Sequence, residues 1–373
     1  MTTVAWGVPG LTAKDPSKST PDKDGLIKQV EHMTTVAPST LNHRIKTIAD
    51  SGAEFLVLEV TSHALAQYRT LGLCFEIAVM TNVTHEHLDY HKTFDNYLAA
   101  KCKLFKQAKY GVINADDPSS VQFINALKNH LPHDQKPRSG QNYTTYGIKS
   151  GQARAKNLKS SASGVEYTYN DLKIKTQIPG EFNVYNSLAA ACVGKKLGLT
   201  NKQITDGIYA LTEVEGRMNR LDLGQKFDCI VDFAHTPDAF EKVFSSVKGH
   251  KGRTISLFGG AGRRDESTRK TRGIIAGKNS DICIITEDDS RDEDPNIIIN
   301  EFAEGCKEAG MKDSQIIKIV NRKDAIEHAI SIAKPGDLVL ILGKGHEKTI
   351  LRADGPHPFE DLKITATAIK AIK

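Results

Sequence analysis

Aromatic residues make up only 6% of this 373-residue chain, and there is a single tryptophan. So few rings leave little with which to stack bases, and no lysine or arginine block accompanies them, which argues against a nucleic-acid partner. No apolar run is long enough to span a bilayer and no secretion leader is recognisable, so a membrane protein is not predicted. The six cysteines, Cys74, Cys102, Cys192, Cys229, Cys283 and Cys306, have no CxxC spacing. Four lie in apolar strand-like or helical stretches and read as reduced core residues of a cytoplasmic protein. Neither sign of charge dominates: 25% of residues are charged, the formal net charge is +5, and both signs are mixed along the chain. That balance suits solubility and does not hinder anionic substrates. Internal repeats and low-complexity tracts are also missing.

What is present is enough chain for two domains with proper cores. Residues 55–58 and 77–80 are continuous apolar runs, as expected of parallel strands buried on both faces. Residues 110–114 read as a further strand. Residues 138–180 alternate short β-type runs with Ser, Gly and Asn turns and predict a small antiparallel patch. An alanine-rich helix opens near 180–186, and a second helix lies near 201–211. Beyond about Thr212, strands at 229–231, 254–258, 282–285, 316–320 and 338–342 alternate with helical stretches. This predicts a second, doubly wound unit. The fold class is α/β, with domains 1–211 and 212–373.

Residues 96–109 read as a helix whose apolar stripe carries Tyr97, Leu104, Phe105 and Ala108. Lys101 falls inside that stripe, while Lys103, Lys106 and Lys109 lie off it. A buried, unpaired ammonium is unfavourable by on the order of several kcal/mol. Either Lys101 snorkels its head to water, or its neutral amine reacts with carbon dioxide and becomes an anionic carbamate. The preceding strands favour the second reading. The first ends at Glu59, and the second leads into a loop holding His87. Ligands of parallel sheets bind beyond the carboxyl ends of the strands. Glu59, His87 and a carbamylated Lys101 would converge there, an oxygen-rich set that suits magnesium or manganese better than zinc.

The second half holds three further motifs. Asp232-Phe233-Ala234-His235-Thr236-Pro237 follows a strand and by itself also fits a helix cap with proline at N1. Gly259-Gly260-Ala261-Gly262-Arg263-Arg264 is a glycine-rich turn that lacks GxGxxG spacing. Its arginines suit carboxylate or phosphate capture, or form a solvated basic turn. Gly343-Lys344-Gly345-His346-Glu347 follows the last strong strand and is not a P-loop.

Residues 58–65 (Leu-Glu-Val-Thr-Ser-His-Ala-Leu), Thr81-Asn82-Val83-Thr84 with His87-Leu88-Asp89-Tyr90-His91, and 97–101 (Tyr-Leu-Ala-Ala-Lys) together resemble the central domain of Mur ligases, the tripeptide-synthetase type most closely. The resemblance runs in family order from the first residues to about Asp361. It implies a P-loop-NTPase-like central domain with a parallel sheet and a Rossmann-like carboxy-terminal domain. It also implies a cytoplasmic, monomeric ligase of peptidoglycan precursor synthesis that uses ATP and Mg2+, with no membrane or nucleic-acid partner. Such an enzyme phosphorylates the terminal carboxylate of UDP-N-acetylmuramoyl-L-Ala-D-Glu and joins a diamino acid to the acyl phosphate.

Residue by residue, the resemblance gives the metal to Glu59, His87 and Lys101 as its carbamate. It puts Asp232 at the ribose, Arg217 at a nucleotide phosphate and Asn183 near adenine. Gly343 and Glu347 take the incoming amino acid, and Ser19, Thr20, Thr61, Gln67 and Arg69 the sugar-peptide. Asp288-Asp289-Ser290-Arg291 stands where members adding diaminopimelate carry Asp-Asn-Pro-Arg. The arginine is kept and the Asn-Pro pair is lost. Diaminopimelate is therefore only slightly favoured over lysine or ornithine, and the extra aspartate leaves a cationic side chain without a carboxylate open. A folylpolyglutamate synthase-like ligase, or a non-catalytic subunit needing a partner chain with the phosphate loop, are the alternatives.

A Mur ligase carries Gly-x-x-Gly-Lys-Thr/Ser ahead of the region that opens this chain. No such stretch occurs in these residues, and Gly7-Val8-Pro9-Gly10-Leu11-Thr12 lacks the lysine. The uridine-holding amino-terminal domain has no counterpart either, so a fragment or one half of a split enzyme is expected. Such a loop supplies much of the charge stabilisation in phosphoryl transfer. The polypeptide alone is expected to show little or no ligase activity, and an ATPase assay finding normal turnover from it would refute this.

Overall fold

The computed structural model describes residues 34–84, 86–128, 141–161, 164–264 and 266–372, together with the backbone of two short antiparallel strands, β1 (Ala5–Gly7) and β2 (Leu26–Lys28). Ser19 and Thr20 lie outside the described residues. Two compact units emerge. The first takes Met1–Val83, His91–Tyr146 and Ser150–Gln152, and the second Thr84–Tyr90, Gly147–Lys149 and Ala153–Lys373.

The first unit contains α1 (Pro38–Asp50), α2 (Ser62–Ala66) and β3 (Phe75–Met80). After the short α3 (Leu88–His91), whose first three residues fall in the second unit, it continues with α4 (Phe94–Phe105), β4 (Ala108–Asn114), α5 (Ser120–Lys128) and β5 (Tyr143–Gly147). β3 pairs parallel with β4, and β4 parallel with β5. β5 is thus part of the parallel sheet and not of the predicted antiparallel patch. Ala78, Met80 and Ile113 of the strands pack with Phe105, Phe123 and Leu127 of the helices, and the Phe105 and Phe123 rings meet edge-on at 4.9 Å.

Two expectations need correction here. The helix predicted over 96–109 runs Phe94–Phe105. It starts at Thr93, whose side chain accepts the Asn96 N–H, as an N-cap should. Ala108 and Lys109 belong to β4, where Ala108 faces Phe75 across the ladder and Lys109 pairs with Glu76. Residues 55–58 form no strand, and Phe55, Leu56 and Val57 are exposed. An apolar run is buried as a strand only when neighbours take its amides, and among the described strands of this sheet β3 is the outermost.

In the second unit, β6 (Ala153–Arg154) precedes an antiparallel meander of β7 (Lys156–Ser161), β8 (Gly164–Tyr169) and β9 (Leu172–Thr176). This is the predicted patch. α6 (Phe182–Lys196) packs behind it, with the Ser187 hydroxyl 2.9 Å from that of Tyr167, and α7 (Asn201–Ala210) begins with a Thr200/Gln203 capping box.

The large sheet follows: β10 (Asn219–Arg220), β11 (Asp228–Asp232), α8 (Pro237–Ser246), β12 (Thr254–Phe258), α9 (Arg269–Asn279), β13 (Ile282–Ile285), α10 (Pro295–Glu308), β14 (Ile316–Lys318), α11 (Arg322–Ile332) and β15 (Leu338–Leu342). A hairpin of β16 (Thr349–Arg352) and β17 (Gly355–Pro358) leads to α12 (Asp361–Ala371). The order is β10-β11-β15-β12-β13-β14, parallel except for β10. Three steps run one way along the sheet and the fourth runs back. Right-handed crossovers therefore put α8, α9 and α10 on one face and α11 on the other. Side chains of β15 alternate accordingly: Leu338, Leu340 and Leu342 join the first layer, and Val339 and Ile341 the second. The loops after β11, β12, β13 and β15 all leave from the same carboxyl edge.

Candidate active site at the carboxyl edge of the large sheet

Three loops of this edge close on one another through their backbones. A Cβ on Gly262 would lie 2.0 Å from the Ser290 carbonyl oxygen, so the turn after β12 needs glycine to approach the loop after β13. The Gly262 N–H donates to Asp289 O at 2.8 Å, and Arg291 Nη1 donates back to Gly262 O at 2.8 Å. Gly343 has φ +119°, and a Cβ there would come within 2.8 Å of Asp288 Oδ2. Behind the turn, the buried Arg269 guanidinium grips Glu293 at 2.7 and 2.8 Å and donates to Ala261 O at 3.0 Å. Those bonds hold Glu293 at about 2, and its Oε2 also accepts the Arg263 N–H. Arg264, on the same turn, is exposed.

Lys344 is the electrostatic centre. It is 1% exposed, and its Nζ lies 2.7 Å from Asp289 Oδ1, 3.5 Å from Asp288 Oδ1 and 2.5 Å from Glu347 Oε2. Burial opposes its charge, but the three carboxylates outweigh burial and keep it protonated. Burial likewise pushes Asp288 up, and Lys344 and Arg322 overcome that and hold it below its ordinary value. Burial and the Asp288 charge raise Glu347 to about 7 despite Lys344. The ligand atoms of Asp288, Asp289 and Glu347 lie within 4.8 Å of one another, as in a cation site, yet an ammonium already stands among them.

Beyond β11, the Arg217 guanidinium lies 4.7 Å over the Phe233 ring, and the His235 and His346 rings lie 4.6 and 4.7 Å from it. Burial, with Arg217 nearby, lowers His346 to about 4 and leaves it neutral. Arg217 and His235 are exposed and Phe233 is half-buried, so a cation and one ring face outward, a combination that suits a nucleotide. Asp232 is buried, and its two oxygens accept the Met218 and Ala234 N–H groups at 2.7 Å each. Burial raises its pKa against those bonds. Thr236 and Pro237 form the helix cap that the motif also permitted. Asn183 Nδ2 donates to Pro179 O at 2.7 Å at the start of α6.

In the first unit, Thr61 caps α2, and its N–H donates to Thr35 Oγ1 at 3.1 Å. Arg69 donates to Thr35 O at 2.6 Å and to Gln67 Oε1 through Nε at 3.0 Å, so Thr61, Gln67 and Arg69 share one patch. Glu59 is exposed there, and its carbonyl accepts from Thr35 Oγ1. Lys101 is half-buried between the buried Tyr97 and Phe105, with Nζ 5.2 Å above the Tyr97 ring. His87 is half-buried with φ +56°, and its segment belongs to the second unit.

Comparison with known proteins assigns the family. Residues 17–194 match the Mur ligase middle domain, and residues 216–345 match the Mur ligase glutamate ligase domain. The chain belongs to the Mur ligase family. A UDP-N-acetylmuramoyl-L-alanyl-D-glutamate--2,6-diaminopimelate ligase of Clostridium acetobutylicum is 36% identical over 356 residues, 92% of this chain and 70% of that protein. A UDP-N-acetylmuramyl-tripeptide synthetase of Roseiflexus is 36% identical over 338 residues, 85% of this chain and 65% of that protein. A solved diaminopimelate ligase of the first name superposes with a TM-score of 0.60 at 29% identity, covering 94% of this chain and 71% of that one. The MurF ligase of Thermotoga maritima in complex with ADP shares the fold, with a TM-score of 0.61 at 17% identity over 84% of this chain and 66% of its own.

Within this Mur ligase, sequence reasoning missed Lys344, Arg269 and Glu293. Lys344 had one signal, a lysine between two glycines directly after a buried strand. Its removal tests the site's electrostatics. Lys344→Met should destabilise the second unit by about 3–5 kcal/mol, because it strands buried carboxylates. In the parent chain the lowered Asp288 contributes stability above about pH 4 that acid removes, so the deficit should shrink as pH falls. Urea unfolding at neutral and acidic pH checks both, and an equal deficit at both pH values counts against the network.

Proposed function

We propose that this chain carries the central and glutamate-ligase domains, 1–211 and 212–373, of a cytoplasmic ATP-dependent ligase that adds meso-diaminopimelate to UDP-N-acetylmuramoyl-L-Ala-D-Glu. The observation that carries the choice of amino acid is the pairing of Asp289 with Lys344. The aspartate that leaves a cationic side chain open in the motif already has its cation. Arg291 and the exposed Arg264 remain to draw a distal carboxylate. Glu347 also pairs with Lys344 through Oε2, but at 35% exposure it is the most open carboxylate of the cluster and the one an incoming ammonium can reach. The printed names of the relatives support diaminopimelate as well.

ATP and Mg2+, when bound, supply the phosphoryl group and the neutralising charge for activating the acceptor carboxylate. Arg217 would hold a phosphate and Asp232 the ribose, in keeping with the outward-facing cation beside Phe233, and Asn183 would lie near the adenine. Thr61, Gln67 and Arg69 would bind the sugar-peptide, with Ser19 and Thr20 alongside. Glu59, His87 and Lys101 would hold the metal, Lys101 as a carbamate. Its half-buried amine supports that chemistry. The place above Tyr97 favours a cation, so the anionic form would leave the ring face.

Calorimetric titration of meso-diaminopimelate, L-lysine and L-ornithine into the chain with Mg-ADP and the UDP-dipeptide tests the reading. Diaminopimelate should bind about tenfold more tightly than lysine, a difference of about 1.4 kcal/mol, and Arg291→Ala should erase the gap. Lysine binding more tightly would overturn the assignment. Glu347, neutral below about 7, should make diaminopimelate affinity rise between pH 6 and 8, and Glu347→Gln should flatten that rise. With 13C-bicarbonate, NMR should show a carbamate carbon that disappears in Lys101→Met. Identical spectra from the two proteins would remove the carbamate.

A further inference from the structure

One wholly buried arginine at this edge stands outside the roles assigned so far. Arg322 opens α11, and its guanidinium makes a two-pronged pair with Asp361 at the start of α12. Nε reaches Oδ1 at 2.9 Å and Nη2 reaches Oδ2 at 2.7 Å, with both side chains at 0% exposure. Its other contacts go to backbone: Nη2 donates to Leu342 O at 2.9 Å, and Nη1 to Glu287 O at 3.4 Å. Leu342 immediately precedes Gly343, and Glu287 immediately precedes Asp288. A Cβ on Gly343 would lie 2.8 Å from Asp288 Oδ2 and 3.8 Å from Arg322 Nη2, so glycine, carboxylate and guanidinium are layered. Outside this layer, Arg352 of β16 holds the Glu287 carboxylate at 2.6 and 3.0 Å.

We infer that Arg322 is a positioning residue for amino-acid recognition, its fork setting the distance between the 288–291 loop and the 343–347 turn. The inference rests on reading those loops as the diamino-acid site. A guanidinium can hold two carboxylate oxygens and two carbonyls in one rigid plane, whereas an ammonium is a point charge with three donors. Multi-point recognition is spoiled by displacements on the order of 1 Å, so a lysine here would keep the charge and lose the spacing.

A more exposed counterpart of the same bonding pattern stands at the opposite edge of the same sheet, with Arg253 37% exposed. Arg253 grips Asp337 at 2.5 and 3.2 Å and donates to Ile332 O at 3.3 Å. In calorimetry on the full chain, Arg322→Lys should weaken meso-diaminopimelate binding at least tenfold. Arg253→Lys should change it less than twofold, with the melting temperatures of both recorded. Unchanged affinity in Arg322→Lys, or equal weakening in Arg253→Lys, overturns the inference. Should Arg322→Lys fail to fold, Asp361→Asn takes its place: weakening of at least threefold supports the inference, and unchanged affinity overturns it. A wild-type chain that binds no diamino acid refutes the site reading and this inference with it. Wild-type binding matched by Arg322→Lys overturns this inference alone.

Discussion

The ammonium of Lys344, enclosed by three carboxylates, is the constraint on which the carboxyl edge depends. An isolated buried charge of either sign would be intolerable there, and each becomes tolerable only through the others. The arrangement is possible because the parallel sheet delivers the β13 and β15 loops to the same edge, one carrying Asp288 and Asp289 and the other the amine and Glu347. Burial then sorts the acids. Asp288, under the charges of both Lys344 and Arg322, is held ionised, and Glu347, at the rim, is raised to about 7. One cluster thereby offers a fixed anion and a titratable one.

Buried ion pairs in this unit contribute geometry more than stability. A salt bridge taken out of water gains little net energy over a well-packed apolar pair, yet the buried Arg269 and Arg322, like the partly exposed Arg253, each combine a carboxylate with a backbone carbonyl. Every such carbonyl lies at the end of an element or in a turn. The arginines act as rigid spacers between segments far apart in the chain, a function that apolar side chains cannot supply with the same angular definition.

Periodicity was legible where burial on both faces is complete. The strands at 254–258, 282–285 and 338–342 match the observed bounds, since a doubly covered parallel strand leaves an unbroken apolar run. It misled where a run lacks a described neighbour, as at 55–58, and where a helix and the next strand share apolar character, as around Ala108. In the candidate site, the motifs flanking Gly262 and Gly343 stood out because close backbone approach demands glycine. Arg322 and Arg269 gave no signal. Each sits at the polar start of a helix, and in sequence a buried guanidinium there looks the same as a solvated one. Their role depends on carbonyls and acids 8 to 39 positions away along the chain, which no local pattern encodes.

The departure of the 288–291 motif from Asp-Asn-Pro-Arg closes on itself. Asp289 brings a negative charge, and its Oδ1 is taken by Lys344 Nζ at 2.7 Å and by the Leu351 N–H at 2.9 Å. Ser290 replaces a proline, and its N–H donates to Asp288 O at 2.9 Å, a bond proline cannot make. The Arg291 N–H then reaches Leu351 O at 2.9 Å, which ties the loop to the β16 hairpin. The two altered residues therefore exchange a proline's stiffness for hydrogen bonds to a neighbouring hairpin and an internal counter-ion. The added charge is neutralised within the protein by Lys344. On the proposed function, the loop is a differently braced form of a carboxylate-recognising turn, and its altered sequence is compatible with the same amino acid.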